Sequence, residues 1–354
     1  MARMSASRQR LRLFTGLLSS LCLTLGACAP GAGAARGEAT AATRETPLVT
    51  PRRGLPVVSV LAPEDAQLTP LIRPLRDELR EEFDVVLHPV RADVDSAETI
   101  GAQLAADAPR LVVLINNSTA KLYRTWARHQ AAPPVALILM ASFADVLTRS
   151  IPNSLCIAYE VPAVTSFVGL RALGKSVNRV GVIYRKALAS HVQAQEELAR
   201  VERISFYTEE LSEGFAMHDL KAALIRTKEQ RVDVLWLPND NELLTRQLVT
   251  KVWLPYLDRL ELPVIVGVPS LVRADHAFGT YGAIPDPEAL GVQAADLVFE
   301  IRDDDYAIKG QRVRLPLSAK TYLSAPLGRR YGVNESRLST VDVVVGRSST
   351  EGEP

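Results

Sequence analysis

A group of consecutive polar residues that could bind an anion follows one of the apolar runs of the chain. Directly after Leu111–Ile115 come Asn116, Asn117, Ser118 and Thr119, at the predicted start of a helix. Hydroxyl and amide side chains, together with the free backbone N–H groups of a helix start, can bind a carboxylate or another anion. The alternative is that these residues only cap the helix, although one residue can cap while its neighbours contact a ligand.

A second polar group could bind the opposite charge. The apolar run Val234–Leu237 is followed, after one proline, by Asn239, Asp240 and Asn241. Asp240 is the candidate partner for a ligand ammonium group, and Asn241 would orient the ligand. The alternative is an N-cap, because Asp and Asn are favoured before a helix, here predicted over Glu242–Leu257, whatever the ligand.

Three further residues complete the predicted ligand site. Ser142 follows the apolar run Val135–Met140, and Tyr159 lies in an irregular stretch over 153–165. Tyr281 lies in a second irregular stretch and could pack its ring on a ligand. For each of the three, a structural role in a hinge is the alternative.

Catalysis finds little support in the sequence. There is no G-x-S-x-G and no H-E-x-x-H. The histidines are scattered without metal-ligand spacing, so we predict no metal site, no cofactor and no catalytic residue. Cys156 is expected to be a buried small side chain, and Trp236 and Trp253 are expected to pack in the core. The sequence therefore favours binding over catalysis.

Short apolar runs alternate with amphipathic stretches along the body. This alternation, with runs apolar on both faces, predicts an α/β fold of two doubly wound parallel-sheet lobes joined by a hinge. The predicted first lobe comprises 55–160 plus 282–316, and the second 161–281 plus 317–340, followed by a disordered tail over 341–354. In such sheets ligands bind at the carboxyl ends of the strands, so two facing lobes would form one cleft.

The N-terminus has the pattern of an export signal. A cationic start precedes an apolar stretch from Leu13 to Leu25 that is too short for a membrane span. It ends in Leu-Gly-Ala-Cys28, which resembles the lipobox of bacterial lipoproteins, with a plain secretory signal as the alternative. We therefore predict a signal peptide over 1–27, lipidation of Cys28, and a flexible tether over 28–54. Only Cys156 then remains in the body, so no intramolecular disulfide is expected.

Composition narrows the range of partners. The chain has 354 residues, is 47% hydrophobic and 23% charged, and carries a formal charge of +1. These values are typical of a globular protein, and the near-neutral charge without a basic stripe argues against nucleic-acid binding. The expected partners are a small-molecule ligand and a membrane contacted only through the lipid anchor. The protein is expected to be a monomer.

Several stretches together resemble the substrate-binding proteins of ABC transporters, in the branch linked to tryptophan- and tyrosine-type uptake. They lie, in the family's order, at Asn178–Tyr184, Val232–Asn241, Leu262–Ile265 and Gly291–Ala295. The resemblance implies the type I periplasmic-binding fold. The sequence departs from the family pattern at ligand-facing loops, where Asn116–Thr119 replace a Gly-Thr loop, so the fold transfers better than the ligand.

The resemblance implies a lipid-anchored protein that closes two lobes around a small polar metabolite, such as an amino acid, and presents it to an ABC permease. The alternative is a non-transport interaction or regulatory lipoprotein of the cell envelope that reuses the fold. Ala29 after Cys28 permits transfer to an outer membrane, where an inner-membrane permease would be out of reach. The expected location is the cell envelope, on the periplasmic face of either membrane or on the outer face of a single one.

Overall fold

The computed structural model describes residues 54–91, 93–273 and 278–346. The predicted signal peptide, Cys28 and nearly all of the predicted tether lie outside the described residues. None of the helices within the described residues combines the length and hydrophobicity needed to cross a bilayer.

Thirteen strands are present in the described residues. In chain order they are β1 Val57–Pro63, β2 Asp84–Val90, β3 Leu111–Ile115, β4 Val135–Ala141, β5 Ser154–Ala158, β6 Arg179–Arg185, β7 Ser205–Leu211, β8 Val234–Trp236, β9 Val264–Ile265, β10 Tyr281–Pro285, β11 Val313–Arg314, β12 Ala319–Ser324 and β13 Val343–Val345.

Twelve α-helices of the described residues connect and cover these strands. They are α1 Thr69–Leu79, α2 Ala97–Asp107, α3 Asn116–Ala127, α4 Ala144–Ser150, α5 Ala163–Ala172, α6 Ala189–Val201, α7 Met217–Glu229, α8 Arg246–Leu248, α9 Leu254–Leu260, α10 Ser270–Arg273, α11 Pro287–Asp303 and α12 Ala325–Arg330. A π-helical segment, Val249–Trp253, joins α8 to α9.

The first sheet has the strand order β11-β5-β4-β3-β1-β2, and all its strand pairs are parallel. Every residue of β3 and β5 is buried, because helices cover both faces of the sheet. Leu111 and Val113 pack in the core on one face, while Val112 and Leu114 pack on the other. The predicted doubly wound sheet is therefore confirmed here.

The second sheet has the order β13-β12-β10-β9-β8-β6-β7. All its strand pairs are parallel except β10 with β12, so β12 and β13 run opposite to the other five strands. Helices again cover both faces, with Trp253 in the core on one side and Trp236 in the core on the other. Both tryptophans thus pack as predicted, and Cys156, on β5, is fully buried.

The chain crosses between the sheets three times. Residues 159–162 lead from β5 of the first sheet to α5, which packs on β10 of the second. After β10 the chain returns at Asp286 to α11, which packs on α1. Gly291 permits this close helix contact, since a Cβ there would lie 2.4 Å from the carbonyl oxygen of Leu71. Residues 315–318 make the third crossing.

Two boundaries differ from the sequence-based division into lobes. The second crossing follows β10, so Tyr281–Pro285 pair within the second sheet. The predicted boundary at residue 282 had placed most of this strand in the first lobe. The predicted disordered tail over 341–354 contains β13, which pairs with β12 through Val343 and Tyr322. The β-branched residues Val343–Val345 favour an extended strand, and the edge of the second sheet provides its partner.

Candidate ligand-binding cleft

A cavity of about 410 Å³ lies between the carboxyl ends of the two sheets. We call it the cleft. Seven predicted site residues line it: Asn116, Asn117, Ser118, Ser142, Tyr159, Asn239 and Asn241. Five residues that were not predicted complete the lining: Met140, Leu244, Val268, Ser270 and Leu271. The cleft therefore combines amide and hydroxyl groups with aliphatic surface, and no lining side chain is charged.

On the first-sheet side, two asparagines hold the loops in place through their side-chain oxygens. The Asn116 side-chain oxygen accepts the backbone N–H groups of Ser118, at 2.8 Å, and Thr119, at 3.3 Å, which is an N-cap. The Asn117 side-chain oxygen accepts the backbone N–H of Ser142 at 2.8 Å, which joins the loops after β3 and β4. Capping and lining of the cleft thus coexist in one loop.

The backbone around the cleft adopts conformations that side chains other than glycine rarely take. Asn116, Met140 and Phe143 have φ values of +78°, +51° and +62°. The pairing of β4 with β5 shifts register between Ile138 and Ala141, so Met140 sits in a bulge. Left-handed residues and bulges cost energy and persist only where the surrounding packing holds them. They are frequent at functional sites. The bulge turns Met140 toward the cleft, although its position in an apolar run predicts only a buried strand residue.

On the second-sheet side, Asn239 and Asn241 face the cleft. Asn239 is 8% exposed and donates its amide N–H to the carbonyl oxygen of Gly267 at 3.3 Å. A Cβ at Gly267 would lie 2.3 Å from the Asn239 side chain, so glycine is needed for this approach. Asn241 is exposed and makes no side-chain hydrogen bond to any described residue. Its amide is therefore free for a ligand.

The structure does not bring Asp240 to the cleft. Asp240 is 1% exposed, and its two carboxylate oxygens accept from Arg185 Nε at 2.7 Å and Arg185 Nη2 at 2.9 Å. It also accepts the backbone N–H of Glu242, but the helix begins only at α8, where Thr245 is the N-cap. Asp240 is thus a structural ion-pair residue, since Arg185 already occupies the position proposed for a ligand ammonium.

Two other predicted residues also lie away from the cleft. Thr119 is fully buried, and its hydroxyl donates to the carbonyl oxygen of Ile115 at 2.8 Å. Tyr281 packs in the second-sheet core, where its hydroxyl fills the space above Gly169. Burial raises the pKa of Tyr281 to about 12. Both residues support the fold because their side chains point into packed layers and not toward the cleft.

A smaller cavity, which we call the hinge pocket, lies against the first crossing. Its volume is about 30 Å³, and it is lined by residues that include Tyr159, Glu160, His191, Trp236 and Asn239. Tyr159 and Asn239 also line the cleft, so the two cavities share a wall. Burial raises the pKa of the Tyr159 phenol, which keeps its hydroxyl protonated and able to donate.

Glu160 is an acid within this hinge pocket. One of its carboxylate oxygens accepts the backbone N–H of Phe143 at 3.1 Å. Burial is the main reason that the pKa of Glu160 rises to about 7, and the nearby Asp145 carboxylate adds to the rise. Burial lowers the pKa of His191. The hinge pocket therefore holds an acid that titrates near neutral pH.

Comparison with solved structures identifies the architecture. A ligand-free, open substrate-binding protein with adhesive properties from Clostridium difficile matches with a TM-score of 0.60 at 13% identity, covering 83% of this chain and 100% of that one. An ABC domain in complex with L-Trp from Streptococcus pneumoniae matches with a TM-score of 0.57 at 16% identity, covering 82% and 99%. The chain has the type I periplasmic-binding fold. No protein-family model and no curated protein matches its sequence.

The type I periplasmic-binding fold accounts for the position of the cleft. Its two parallel sheets direct their carboxyl ends toward each other, and loops that leave those ends carry the residues that line the cavity. A conserved domain protein from Vibrio cholerae has the same architecture, with a TM-score of 0.54 at 15% identity over 82% of this chain and 99% of that one. Within the described ranges no three His, Cys, Asp or Glu side chains are grouped as a metal site requires.

The half-buried acid Glu160 predicts a pH dependence of stability. The folded protein holds the Glu160 proton up to about pH 7, whereas an unfolded chain releases it near the ordinary glutamate pKa of about 4.5. Stability should therefore fall as the pH rises between these values. As the pH rises through this window, the unfolding free energy of Glu160→Gln should increase relative to that of the wild type by roughly 2 kcal/mol, measured by urea denaturation. The exposed Glu197→Gln is the control and should parallel the wild type; if Glu160→Gln does so too, Glu160 is not a buried acid.

Proposed function

We propose that this protein is a solute-binding receptor of the cell envelope, which captures a small polar molecule in the cleft for an ABC-type importer. The observation that carries the proposal is the cleft itself. The seven predicted polar residues, from the loops of both sheets, converge on one cavity of about 410 Å³, the volume range of small-molecule sites. Several of their polar atoms are still available to a ligand. The Tyr159 and Ser142 hydroxyls make no hydrogen bond to any described residue.

An amino acid is the first ligand to test. Amide and hydroxyl groups can bind its polar head, and the aliphatic residues Met140, Leu244, Val268 and Leu271 can pack on its side chain. One structure with the same fold was solved with L-Trp bound. In this proposal Cys28 carries the lipid anchor, and the tether keeps the receptor near a permease. Contacts to both sheets at once would favour a closed state over an open one.

A thermal-shift screen of the purified full-length protein tests the proposal. The panel contains amino acids, nucleosides, sugars and small carboxylates. A ligand at about one hundred times its Kd should stabilise the protein by roughly 2.7 kcal/mol, which raises the melting temperature visibly. A cooperative melt with no shift across the panel would contradict a receptor for these solutes and favour the interaction lipoprotein instead.

Asn117→Ala should weaken the binding of any solute identified in this way. The substitution removes the hydrogen bond at 2.8 Å that holds the Ser142 backbone, so the loop after β4 loses its position in the cleft. We expect Kd to rise about tenfold, which corresponds to about 1.4 kcal/mol, in isothermal titration calorimetry. Thr125→Ala, an exposed hydroxyl on the same helix α3, is the control and should bind like the wild type. Equal affinity of both variants would exclude this loop from the site.

A further inference from the structure

Asn239, which lines both the hinge pocket and the cleft, carries a buried acceptor without a donor. The Asn239 side chain is 8% exposed, and its amide N–H is directed to the carbonyl oxygen of Gly267, which fixes the side-chain orientation. Its Oδ1 atom has no hydrogen-bond partner among the described residues. Buried polar atoms of native proteins nearly always have a partner. A donor from a bound molecule is therefore expected at this oxygen.

The hinge pocket also contains a carboxylate without a cation. One oxygen of Glu160 accepts the Phe143 N–H, and no Lys or Arg of the described residues pairs with the other. His191 is the one side chain in the lining that could become a cation, and burial lowers its pKa, so it is neutral near pH 7 and does not supply the missing charge. A buried carboxylate is stabilised by an opposite charge. The pocket is therefore suited to a cationic donor.

The size and position of the pocket limit what can enter it. Its volume of about 30 Å³ is the space of one or two small groups, enough for a water molecule or an ammonium group. Tyr159 and Asn239 line both cavities, so the pocket lies directly beside the cleft. Because no residue lining the cleft is charged, Glu160 is the group that would balance a cation.

We propose that the hinge pocket is the subsite for a primary ammonium group of the ligand, which donates to Asn239 Oδ1 and pairs with the Glu160 carboxylate. This assignment rests on the proposed receptor function and adds to it the charge that the ligand must carry. It also places the recognition of that charge at the first crossing between the sheets, which must move when the cleft closes.

The acid in the pocket gives the proposal a pH signature. Glu160 has a pKa of about 7 in the ligand-free protein, and a bound ammonium lowers it, so binding releases a proton. The affinity for an amine should therefore rise about tenfold between pH 6 and pH 8, as the ionised fraction of Glu160 rises. Burial lowers the pKa of His191, and Asp145 is the other carboxylate that acts on Glu160.

Paired probes test the proposal by calorimetry on the full-length protein. They are L-tryptophan with indole-3-propionate, L-phenylalanine with 3-phenylpropionate, and L-leucine with 4-methylpentanoate, which differ only in the amine. We expect an amine to bind at least tenfold more tightly than its partner at pH 8. Glu160→Gln should lose this preference and the pH dependence, and Asn239→Ala should weaken the amine about tenfold. Glu197→Gln, an exposed acid on α6 that does not line the pocket, is the control and should change Kd less than twofold.

Equal binding of a pair, or an unchanged pH profile in Glu160→Gln, would overturn the assignment while leaving the receptor function intact. If none of the six probes binds, the result would count against an amino-acid receptor. Methylammonium then tests the ammonium subsite by itself. The subsite would be supported if methylammonium stabilises the wild type more than potassium or tetramethylammonium does at the same concentration. This stabilisation should be lost in Glu160→Gln. No stabilisation would overturn the subsite. A thermal melt of each variant confirms that it is folded.

Discussion

Asp240→Ala should destabilise the fold by about 3 kcal/mol without acting through a ligand contact. The substitution leaves the buried guanidinium of Arg185 without the bidentate partner that accepts at 2.7 and 2.9 Å. Removing one member of a buried pair typically costs about 3–5 kcal/mol. The loss falls at the lower end because Arg185 also contacts Glu213 at 3.1 Å and Glu242 at 2.9 Å. Urea denaturation followed by far-UV circular dichroism measures the change.

The matched control is Asp258→Ala, which removes an exposed ion pair with Arg330 at 2.7 Å. Asp258 is 74% exposed, so its pair is screened by water and should contribute less than about 1 kcal/mol. A similar small loss for both variants would show that the Arg185–Asp240 pair is not a structural element. Asp240→Ala should also weaken solute binding, but only indirectly, because Asp240 holds the loop that carries Asn239 and Asn241.

The different roles of Asp240 and Asn239 show what a sequence can and cannot locate here. A polar run after an apolar strand correctly identifies a loop at the carboxyl edge of a sheet, and this is why seven candidates reach one cleft. It does not show which side chain of the run turns toward the cleft. In the second sheet β6 neighbours β8 with Val182 opposite Trp236, so Arg185 comes level with Asn239 and takes the adjacent carboxylate. That register depends on strand order, which the sequence alone does not provide.

The residues missed by the sequence have an equally physical explanation. Met140 ends an unbroken apolar run, and neither glycine nor proline marks the bulge that turns it into the cleft. Glu160 lies in the stretch correctly identified as a crossing, but its surroundings come from residues distant in sequence, the Phe143 N–H and His191 of α6. By contrast, the three β-branched residues Val343–Val345 favour a strand, and the prediction of a disordered tail did not take them into account. Layered architecture is thus readable from periodicity, whereas side-chain direction at a bulge or crossing is not.

Trp253→Ala should cause the largest loss of stability, about 4 kcal/mol. Trp253 is fully buried, its indole N–H donates to the carbonyl oxygen of Leu243 at 2.7 Å, and its ring stacks on Phe278 at 6.5 Å. Alanine would leave a cavity in the second-sheet core and an unpaired carbonyl beside Leu244, which lines the cleft. Urea denaturation measures the loss of stability.

Trp253→Phe separates the two contributions, because phenylalanine keeps most of the ring volume and loses the hydrogen bond. We expect it to cost roughly 1–2 kcal/mol of stability, the sum of a lost hydrogen bond and a small void. Trp253 ends the π-helical segment Val249–Trp253, and its indole N–H reaches the Leu243 carbonyl oxygen from there. A loss of less than about 1 kcal/mol for Trp253→Ala would mean that this core relaxes around the missing ring. In that case the loop carrying Leu244 would not depend on the core beneath it.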